Sequence, residues 1–437
     1  MPENIATNEL PEELRKKSKK KIKISFLLLL LIINPFINIF GVLGFISQEL
    51  NYLTVYSFLN YLSFILAGCI FLNEKKIKYS KITVIICGFL IFMLGVNFIV
   101  TPLASFKWLI NWLGFIFISL VLVEIIKNFT ESEFLRLQVK VLNLIRLLLV
   151  IFALAMLFTN LANFSFLMDS MAILAGDQVN SIAAHNLGIE KQNLGTLYQI
   201  FFLNSIIYWP ILKNKERKLL LFIFLTLIPS IIFIRTFLLS MFLLFIFLYL
   251  TKSPLKKVLF FIIILLIFIG LAMDSTLINI VEDYYDRLPS LKFAWSAMTE
   301  NIFGLGNGGY HIYVEKYGAE ILALFGSKAM IELNGFWLAP ESDLVYFIAS
   351  WGIMSSFFFL YFVFLLIKGV DLFHNNKLLL PIEKSLILVM FSFVFSGISQ
   401  DNAGSLIWWT YIAAGSGVLL RHFKQKKQLR QIIQREA

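Results

Sequence analysis

Residues 273–344 read MDSTLINIVEDYYDRLPSLKFAWSAMTENIFGLGNGGYHIYVEKYGAEILALFGSKAMIELNGFWLAPESDL. This segment is the longest polar interruption in a chain that is otherwise mostly apolar, and hydrophobic segments precede and follow it directly. It contains Arg287, a glycine-rich turn, His311 and the triplet Glu341-Ser342-Asp343, called the acidic triplet below. The pattern predicts hydrophobic helices that build a platform, with the chemistry carried by this loop and by a partner arginine elsewhere in the chain.

The composition predicts an integral membrane protein. Of 437 residues, 59% are hydrophobic, 16% are aromatic and only 15% are charged, whereas soluble domains carry about 25% charged residues. The net charge of +11 would suit a nucleic-acid partner, but the basic residues lie mostly in short loops between hydrophobic segments. The preference for Lys and Arg on the cytoplasmic side of membranes explains that placement, so we expect no nucleic-acid partner.

Several site classes have no support in the sequence. Cys69 and Cys87, the only cysteines, both lie inside hydrophobic segments, so no disulfide framework or Cys/His metal cluster can be built from them. Phosphate-loop and zinc-protease motifs do not occur. No acid lies deep in a hydrophobic segment, which disfavours an ion-coupled transporter. We therefore predict no metal and no cofactor.

The fold class predicted is an all-α polytopic membrane protein with about twelve transmembrane helices, since each span needs about 20 apolar residues. The first hydrophobic segment is too long for a cleavable signal. The spans are predicted at 24–46, 53–72, 82–101, 106–126, 139–160, 194–212, 218–234, 236–250, 257–273, 343–367, 383–400 and 403–420. The corresponding regions are a basic cytoplasmic tail (1–23), spans one to nine (24–273) with an outer loop (161–193), a large outer loop containing short helices (274–342), spans ten to twelve (343–420) and a second basic tail (421–437).

The distribution of charge predicts the orientation. With the N-terminus inside, the inner segments hold 30 of the 38 Lys and Arg residues and the outer segments hold seven. Both termini are then cytoplasmic. Residues 219–250 are treated as a hairpin, because the basic clusters at 213–218 and 252–257 both favour the inner side. The hairpin places Arg235 near the outer surface.

Two arginines and one acidic triplet are the candidates for chemistry on the outer side. A guanidinium forms a fixed, permanently charged fork for phosphate oxygens, although Arg235 and Arg287 could also anchor helix ends at the headgroups. Residues 289–300 fit a short helix that a glycine-rich turn ends. At 341–343, one acid could simply cap the following helix.

The segments IIFIRTFLLSMF, Arg287 with Trp295 and ENIFGLGNGGY, and PESDLVYFIASWGI, taken in this order and spacing, resemble the superfamily of O-antigen polymerases (Wzy-type) and O-antigen ligases (WaaL-type) of the glycosyltransferase-C class. The resemblance covers residues 219–367 well. Ligases of this family usually carry a His at the start of the span after the large loop. Glu341 occupies that place here, which favours the polymerase.

The resemblance implies a metal-independent glycosyltransferase in the bacterial inner membrane, with its active site on the outer face. The donor and the acceptor would be glycans linked to undecaprenyl pyrophosphate, and a chain-length regulator and a flippase would act in the same pathway. The predicted catalytic residues are Glu341 as base, with Arg287 and Arg235 on the pyrophosphate. The predicted substrate-binding residues are Tyr284, Tyr285, Lys292, Trp295, Asn307, Tyr310, His311 and Asp343.

Two alternatives stay open at this point. One is a ligase that transfers finished glycan to lipid A-core or to protein. The other is a flippase or transporter for the same lipid-linked glycan. The aromatic residues in the list are also typical of membrane–water interfaces, where Tyr and Trp are enriched.

The topology is testable with reporter fusions. Fusions at Asn214, Thr251 and Asn375 should report the cytoplasm, and fusions at Gln178 and Asn307 should report the outside, because of the 30-to-seven division of the basic residues. An outside report at Thr251 would mean that residues 219–250 form one helix.

Overall fold

The structure is a computed structural model that describes residues 21–33, 52–73, 81–100, 106–162, 191–222, 235–250, 256, 287–306, 343–375, 379–397 and 406–436. These residues are helices and their connections, and they contain no β-strand. The all-α prediction is therefore confirmed for the described part of the chain.

The helices follow the hydrophobic segments closely. They are α1 (21–33, π-helical over Leu29–Ile33), α2 (Tyr52–Asn73), α3 (Lys81–Val100), α4 (Phe106–Lys127), α5 (Glu131–Ala162), α6 (Lys191–Tyr208), α7 (214–222), α8 (Arg235–Leu250), α9 (Arg287–Glu300), α10 (Asp343–Trp351), α11 (Ser355–Asn375), α12 (Pro381–Ser396) and α13 (Leu406–Glu436). A 3₁₀ turn, Gly352–Met354, joins α10 to α11. The predicted span 257–273 lies outside the described residues.

Among the described residues, two segments are long and apolar enough to cross a bilayer. They are Leu109–Lys127, with 19 residues, and Asp343–His374, with 32 residues. Four shorter apolar helices, of 10–17 residues, accompany them. These segments agree with membrane association, and the number of twelve spans stays a prediction.

The centre of the bundle is the pair α4 and α13, which run side by side in the same direction. Near one end, a side chain at Gly417 would meet Ile126 Cβ at 2.9 Å. Near the other end, the rings of Phe115 and Trp409 stack with centroids 6.4 Å apart. A small residue at this crossing lets the two backbones approach closely, as helix packing in membranes requires.

α12 packs antiparallel to α13, and its two ends define the two ends of the bundle. At one end, Arg421 bonds Glu383, which also accepts the backbone N–H of Leu380 at 3.0 Å. His422 Nε2 lies 3.2 Å from the same carboxylate. We term this the basic end. At the opposite end, termed the far end, Trp408 Nε1 donates to the carbonyl of Phe393 over 3.3 Å.

The C-terminal part of α8 packs against α11 and α12. His374 Nε2 lies 3.1 Å from the carbonyl oxygen of Leu248, and the Phe247 ring lies 5.7 Å from that of Phe391 and 5.4 Å from that of Phe395. Asn204 of α6 bonds Ser385 near the start of α12. The hairpin over 219–250 stays a prediction, because residues 223–234 lie outside the described residues.

Residues 343–367 do not form one uninterrupted helix, although Asp343–His374 as a whole is long and apolar enough to cross a bilayer. The helix breaks at Gly352, and α10 folds back beside the first turns of α11. The stacked rings of Phe347 and Phe358 lie 4.5 Å apart, and those of Phe347 and Phe362 lie 6.1 Å apart. On a straight helix residues 347 and 358 would be separated by about 16 Å. α11 by itself still has 21 residues.

Two further helices differ from the predicted spans in length. α5 begins eight residues before the predicted span at 139 and holds Arg146 against Glu216, with Nε and Oε1 2.7 Å apart. α13 has 31 residues and continues as a helix through most of the basic tail that was predicted to start at 421. On this helix Lys424, Lys426 and Lys427 are exposed, whereas Arg421 is buried against Glu383.

The ion pair at the basic end should be a main source of stability. Glu383 is 1% exposed and Arg421 is 7% exposed, so Glu383→Ala would leave a buried guanidinium without its carboxylate. We expect a loss of about 3–5 kcal/mol, measured by thermal unfolding in detergent micelles. Glu131→Ala, at an exposed acid that begins α5, is the control and should lose well under 1 kcal/mol. Equal melting temperatures for the two variants would contradict this role of the pair.

Candidate functional site

The short helix predicted at 289–300 is confirmed as α9. It presents two small residues to α10, because Ala294 and Ala297 are fully buried one turn apart. Trp295, between them in sequence, is 37% exposed. The helix ends where Asn301 donates its N–H to the carbonyl of Ala297 at 2.9 Å. The Asn301 side chain then accepts the N–H of Phe303 at 3.3 Å, which starts the turn.

After α9 the backbone is bonded to the break between α10 and α11. The N–H groups of Leu305 and Gly306 donate to the carbonyls of Ala349 and Ser350 at 2.8 and 3.0 Å. In the opposite sense, Ile353 N–H donates to the carbonyl of Ile302 at 2.9 Å. We term this three-bond connection the backbone clasp. It joins two segments that are almost fifty residues apart in the sequence.

The clasp requires glycine in each of the two segments that it joins. Gly304 and Gly352 have φ angles of +81° and +54°, a region that other residues rarely adopt. A Cβ at Gly304 would lie 2.6 Å from the Gly352 nitrogen, and a Cβ at Gly352 would lie 2.2 Å from the Ile302 oxygen. The glycine-rich turn of the sequence is thus needed both for its backbone angle and for a close backbone contact.

The clasp also determines the relative direction of α9 and α10. Their C-terminal ends are joined, and α9 packs along α10. The two helices therefore run in the same direction, and their first residues, Arg287 and Asp343, lie toward the same end of the pair. The sequence alone gave no reason to pair these helices.

Asp343 lies at the far end of the bundle, against the C-terminus of α12. It is 4% exposed and begins α10. The next residue, Leu344, donates its N–H to the carbonyl of Gly397 at 3.3 Å. A Cβ at Gly397 would lie 2.5 Å from Asp343 Oδ2, so glycine makes room for the carboxylate.

Arg235 is the first residue of α8. Ser240 of α8 accepts a hydrogen bond of 2.6 Å from Gln199 of α6, and both side chains are fully buried. The first residues of α8, α9 and α10 are an Arg, an Arg and an Asp.

The rest of the predicted site falls partly outside the described residues. Lys292 lies on α9, but its side chain, like those of Arg235 and Arg287, is not described. The predicted base Glu341 lies two residues before α10 and outside the described residues. The same holds for Tyr284, Tyr285, Asn307, Tyr310 and His311.

Sequence reasoning missed an aromatic layer beneath α10. The rings of Trp112 and Tyr346 stack at 5.8 Å with nearly parallel planes, and Trp112 meets Trp351 at 5.3 Å and Trp409 at 5.2 Å. Aromatic pairs of this kind add about 0.5–1.5 kcal/mol beyond the area that they bury. The available signal was the Trp408-Trp409 pair at the start of the last span. The layer supports α10 from below and positions its first residue.

Comparison of the chain with protein-family models, with curated proteins and with solved structures yields no match. What can be stated of the class therefore comes from the chain itself: it is strongly apolar, its described residues are helical, and two segments among them are long and apolar enough to cross a membrane. Its activity is a matter for proposal.

The backbone clasp can be tested with alanine. Gly352→Ala combines an unfavourable φ angle with a backbone collision, so we expect a loss of at least about 2 kcal/mol and faster proteolysis of the segment around residue 305. Gly88→Ala is the matched control, because a Cβ at Gly88 would meet nothing within 4 Å. Thermal unfolding and limited proteolysis in micelles measure both effects. If Gly352→Ala behaves like Gly88→Ala, the clasp does not hold α9 in place.

Proposed function

We propose that the protein is a membrane glycosyltransferase that polymerises oligosaccharide repeat units linked to undecaprenyl pyrophosphate, as in O-antigen or capsular polysaccharide synthesis. The observation that carries the proposal is that α9 and α10 run in the same direction and are joined at their C-terminal ends by the backbone clasp, with Asp343, the first residue of α10, at the far end of the bundle. These helices follow Tyr284-Tyr285-Asp286 and the acidic triplet, the segments on which the resemblance to the polymerase and ligase superfamily rests.

The reaction needs an acid–base group and a stabilised anionic leaving group. An acceptor hydroxyl oxygen would attack the anomeric carbon of the growing glycan, and the bond from that carbon to the pyrophosphate oxygen would break. Glu341 would take the hydroxyl proton. Arg287 and Arg235 would stabilise the negative charge that develops on the departing undecaprenyl pyrophosphate.

The surroundings support these roles on physical grounds. Helix N-termini attract anions through their unpaired N–H groups and dipoles, and the N-terminus of α10 lies at the far end. Asp343, buried and first in α10, would orient the acceptor sugar rather than act as the base. Trp295, which is partly exposed on α9, would stack on a sugar ring together with Tyr284, Tyr285 and Tyr310. Lys292, Asn307 and His311 would complete the polar contacts to substrate.

The membrane arrangement in this proposal is the one that the charge distribution predicts. The chain would cross a bacterial inner membrane about twelve times, with both termini in the cytoplasm and the far end of the bundle at the outer face. A chain-length regulator and a flippase of the same pathway would act with it. The ligase remains the runner-up, and the flippase is the alternative of a different class.

Deletion of the protein separates the three functions. Loss of a polymerase leaves single repeat units on the cell surface, loss of a ligase leaves long unattached polymer, and loss of a flippase traps repeat units inside the cell. Separation of surface glycans by gel electrophoresis, together with the lipid-linked pool, distinguishes these results. Either of the last two outcomes would replace the polymerase by the corresponding alternative.

Residue substitutions test the site itself. Glu341→Gln keeps the size of the side chain and removes the base, and Arg287→Ala removes a fixed cation; we expect either to lower polymerisation about 10²–10³-fold at normal protein levels. Arg287→Lys should restore little activity, because an ammonium is a point charge rather than a fork. Arg235→Ala should behave like Arg287→Ala.

Glu320→Gln, an acid in the same loop, is the matched control and should polymerise normally. Full-length polymer from Glu341→Gln, combined with none from Asp343→Asn or His311→Ala, would place the base elsewhere. A near-normal rate for Arg287→Ala would remove the pyrophosphate role of that residue.

A further inference from the structure

A long apolar groove lies on the side of the bundle. Its walls come from α3, α4, α11 and α13, and its open volume is about 700 Å³. On α13 the lining extends from Trp409 to Phe423, which corresponds to about 21 Å of helix. The groove is thus longer than one leaflet of hydrocarbon, which is about 15 Å thick.

The walls of the groove offer almost only hydrocarbon and aromatic surface. The hydroxyl groups of Tyr361 and Ser416 form a hydrogen bond with each other at 3.0 Å, so they have little need of a polar group on a ligand. Phe364 is 44% exposed and Phe423 is 40% exposed, so the groove opens sideways. An occupant therefore has to be a flexible apolar chain rather than a polar molecule.

Lysines lie next to the groove where it reaches the basic end of the bundle. Lys368 follows Phe364 by one helical turn on α11, and Lys424 follows Leu420 by one turn on α13, so each shares the face of a lining residue. Lys424 is exposed and donates to the Asn128 side chain at 3.2 Å, which leaves further donors on its ammonium group.

Among the described residues around this mouth, lysines outnumber acids by four to two, with Lys127, Lys368, Lys424 and Lys427 against Glu124 and Asp371. Lys127, one turn below the lining residue Val123, is paired with Glu124 at 3.0 Å. Lys427 is exposed one turn below Phe423, and the acid nearest in sequence to Lys368 is Asp371. The mouth of the groove is therefore positively charged, while the groove itself is apolar.

We propose that the groove is a binding site for an anionic phospholipid of the membrane, with one acyl chain lying between α11 and α13 and the phosphate at Lys368 and Lys424. The charge of the mouth selects this occupant. An apolar chain gains little by leaving one hydrocarbon environment for another, whereas each lysine at the membrane surface attracts anionic lipid. The site lies at the basic end and is independent of the proposed glycosyltransferase reaction.

The first experiment measures selectivity. Full-length protein in detergent micelles is titrated with phosphatidylglycerol or phosphatidylcholine, and bound lipid is counted by native mass spectrometry. We expect phosphatidylglycerol to bind more tightly, and Lys368→Gln with Lys424→Gln to weaken its binding on the order of 30-fold. Lys140→Gln with Lys218→Gln removes two exposed lysines that lie outside the groove and should change binding little. Equal binding of the two lipids, or equal loss in both double variants, would overturn the proposal.

The second experiment places the lipid in the groove. Cys87 lines the groove, whereas Cys69, the other cysteine, is exposed and lies outside it. In the variants Cys69→Ser and Cys87→Ser, each with one remaining thiol, phosphatidylglycerol should slow the reaction of Cys87 with a membrane-permeant maleimide severalfold and leave that of Cys69 unchanged. Equal protection of both thiols would show a general detergent effect and overturn the proposal. Protection of Cys87 by undecaprenyl phosphate and not by phosphatidylglycerol would overturn it in favour of a polyprenyl chain.

Discussion

The hydrogen-bonded crossing of residues 302–306 with residues 349–353 is the constraint on which the far end of the bundle depends. Three backbone hydrogen bonds of 2.8–3.0 Å join the two segments, and neither Gly304 nor Gly352 has room for a Cβ. The break in the helix at Gly352 lets α10 leave the axis of α11, and the bonds to residues 302–306 satisfy backbone groups that the break sets free. In an apolar setting such groups are costly unless they find partners.

The backbone clasp fixes the position of α9, which lies within the long polar loop. α9 would otherwise be a 14-residue helix joined to the bundle only through its chain ends, and an isolated helix of that length is marginal. Packing of Ala294 and Ala297 against α10 gives it a fixed direction. The aromatic layer around Trp112 supports α10 from the other side. Arg287 and Asp343 thus belong to one supported unit, which is the kind of rigidity that a reacting site needs.

The charged residues are arranged differently at the two ends of the bundle. At the basic end, Glu383 is surrounded by Arg421, His422 and a backbone N–H, so the buried acid is neutralised by the protein itself. At the far end, Asp343 begins α10, and Arg287 begins α9, which runs in the same direction as α10. Trp409 touches both the aromatic layer under α10 and the wall of the lateral groove, so a lipid in the groove would pack against the support of the far end.

The sequence by itself determined the helical character of the chain and the extent of most helices. Each hydrophobic segment has to satisfy its own backbone groups, so its length and its flanking charges are enough to predict a helix such as α4 or α8. The same local logic predicted α9, which ends at the glycine turn. The candidate site could be predicted only as residue types in a loop. Arginines indicate phosphate binding and acids indicate proton transfer whatever their position in the fold, so residue types alone do not show which of them lie together.

The tertiary structure alone decided which of these pieces meet. Nothing local distinguishes Gly352 from a glycine inside a continuous helix; its positive φ exists because residues 302–304 lie against it. Likewise Glu383 and Arg421 are 38 residues apart, and their pairing depends on how α12 and α13 pack. The fold-back of α10, the shared direction of α9 and α10, and the lateral groove all arise from contacts between distant segments, and hydrophobic periodicity carries no information about such contacts.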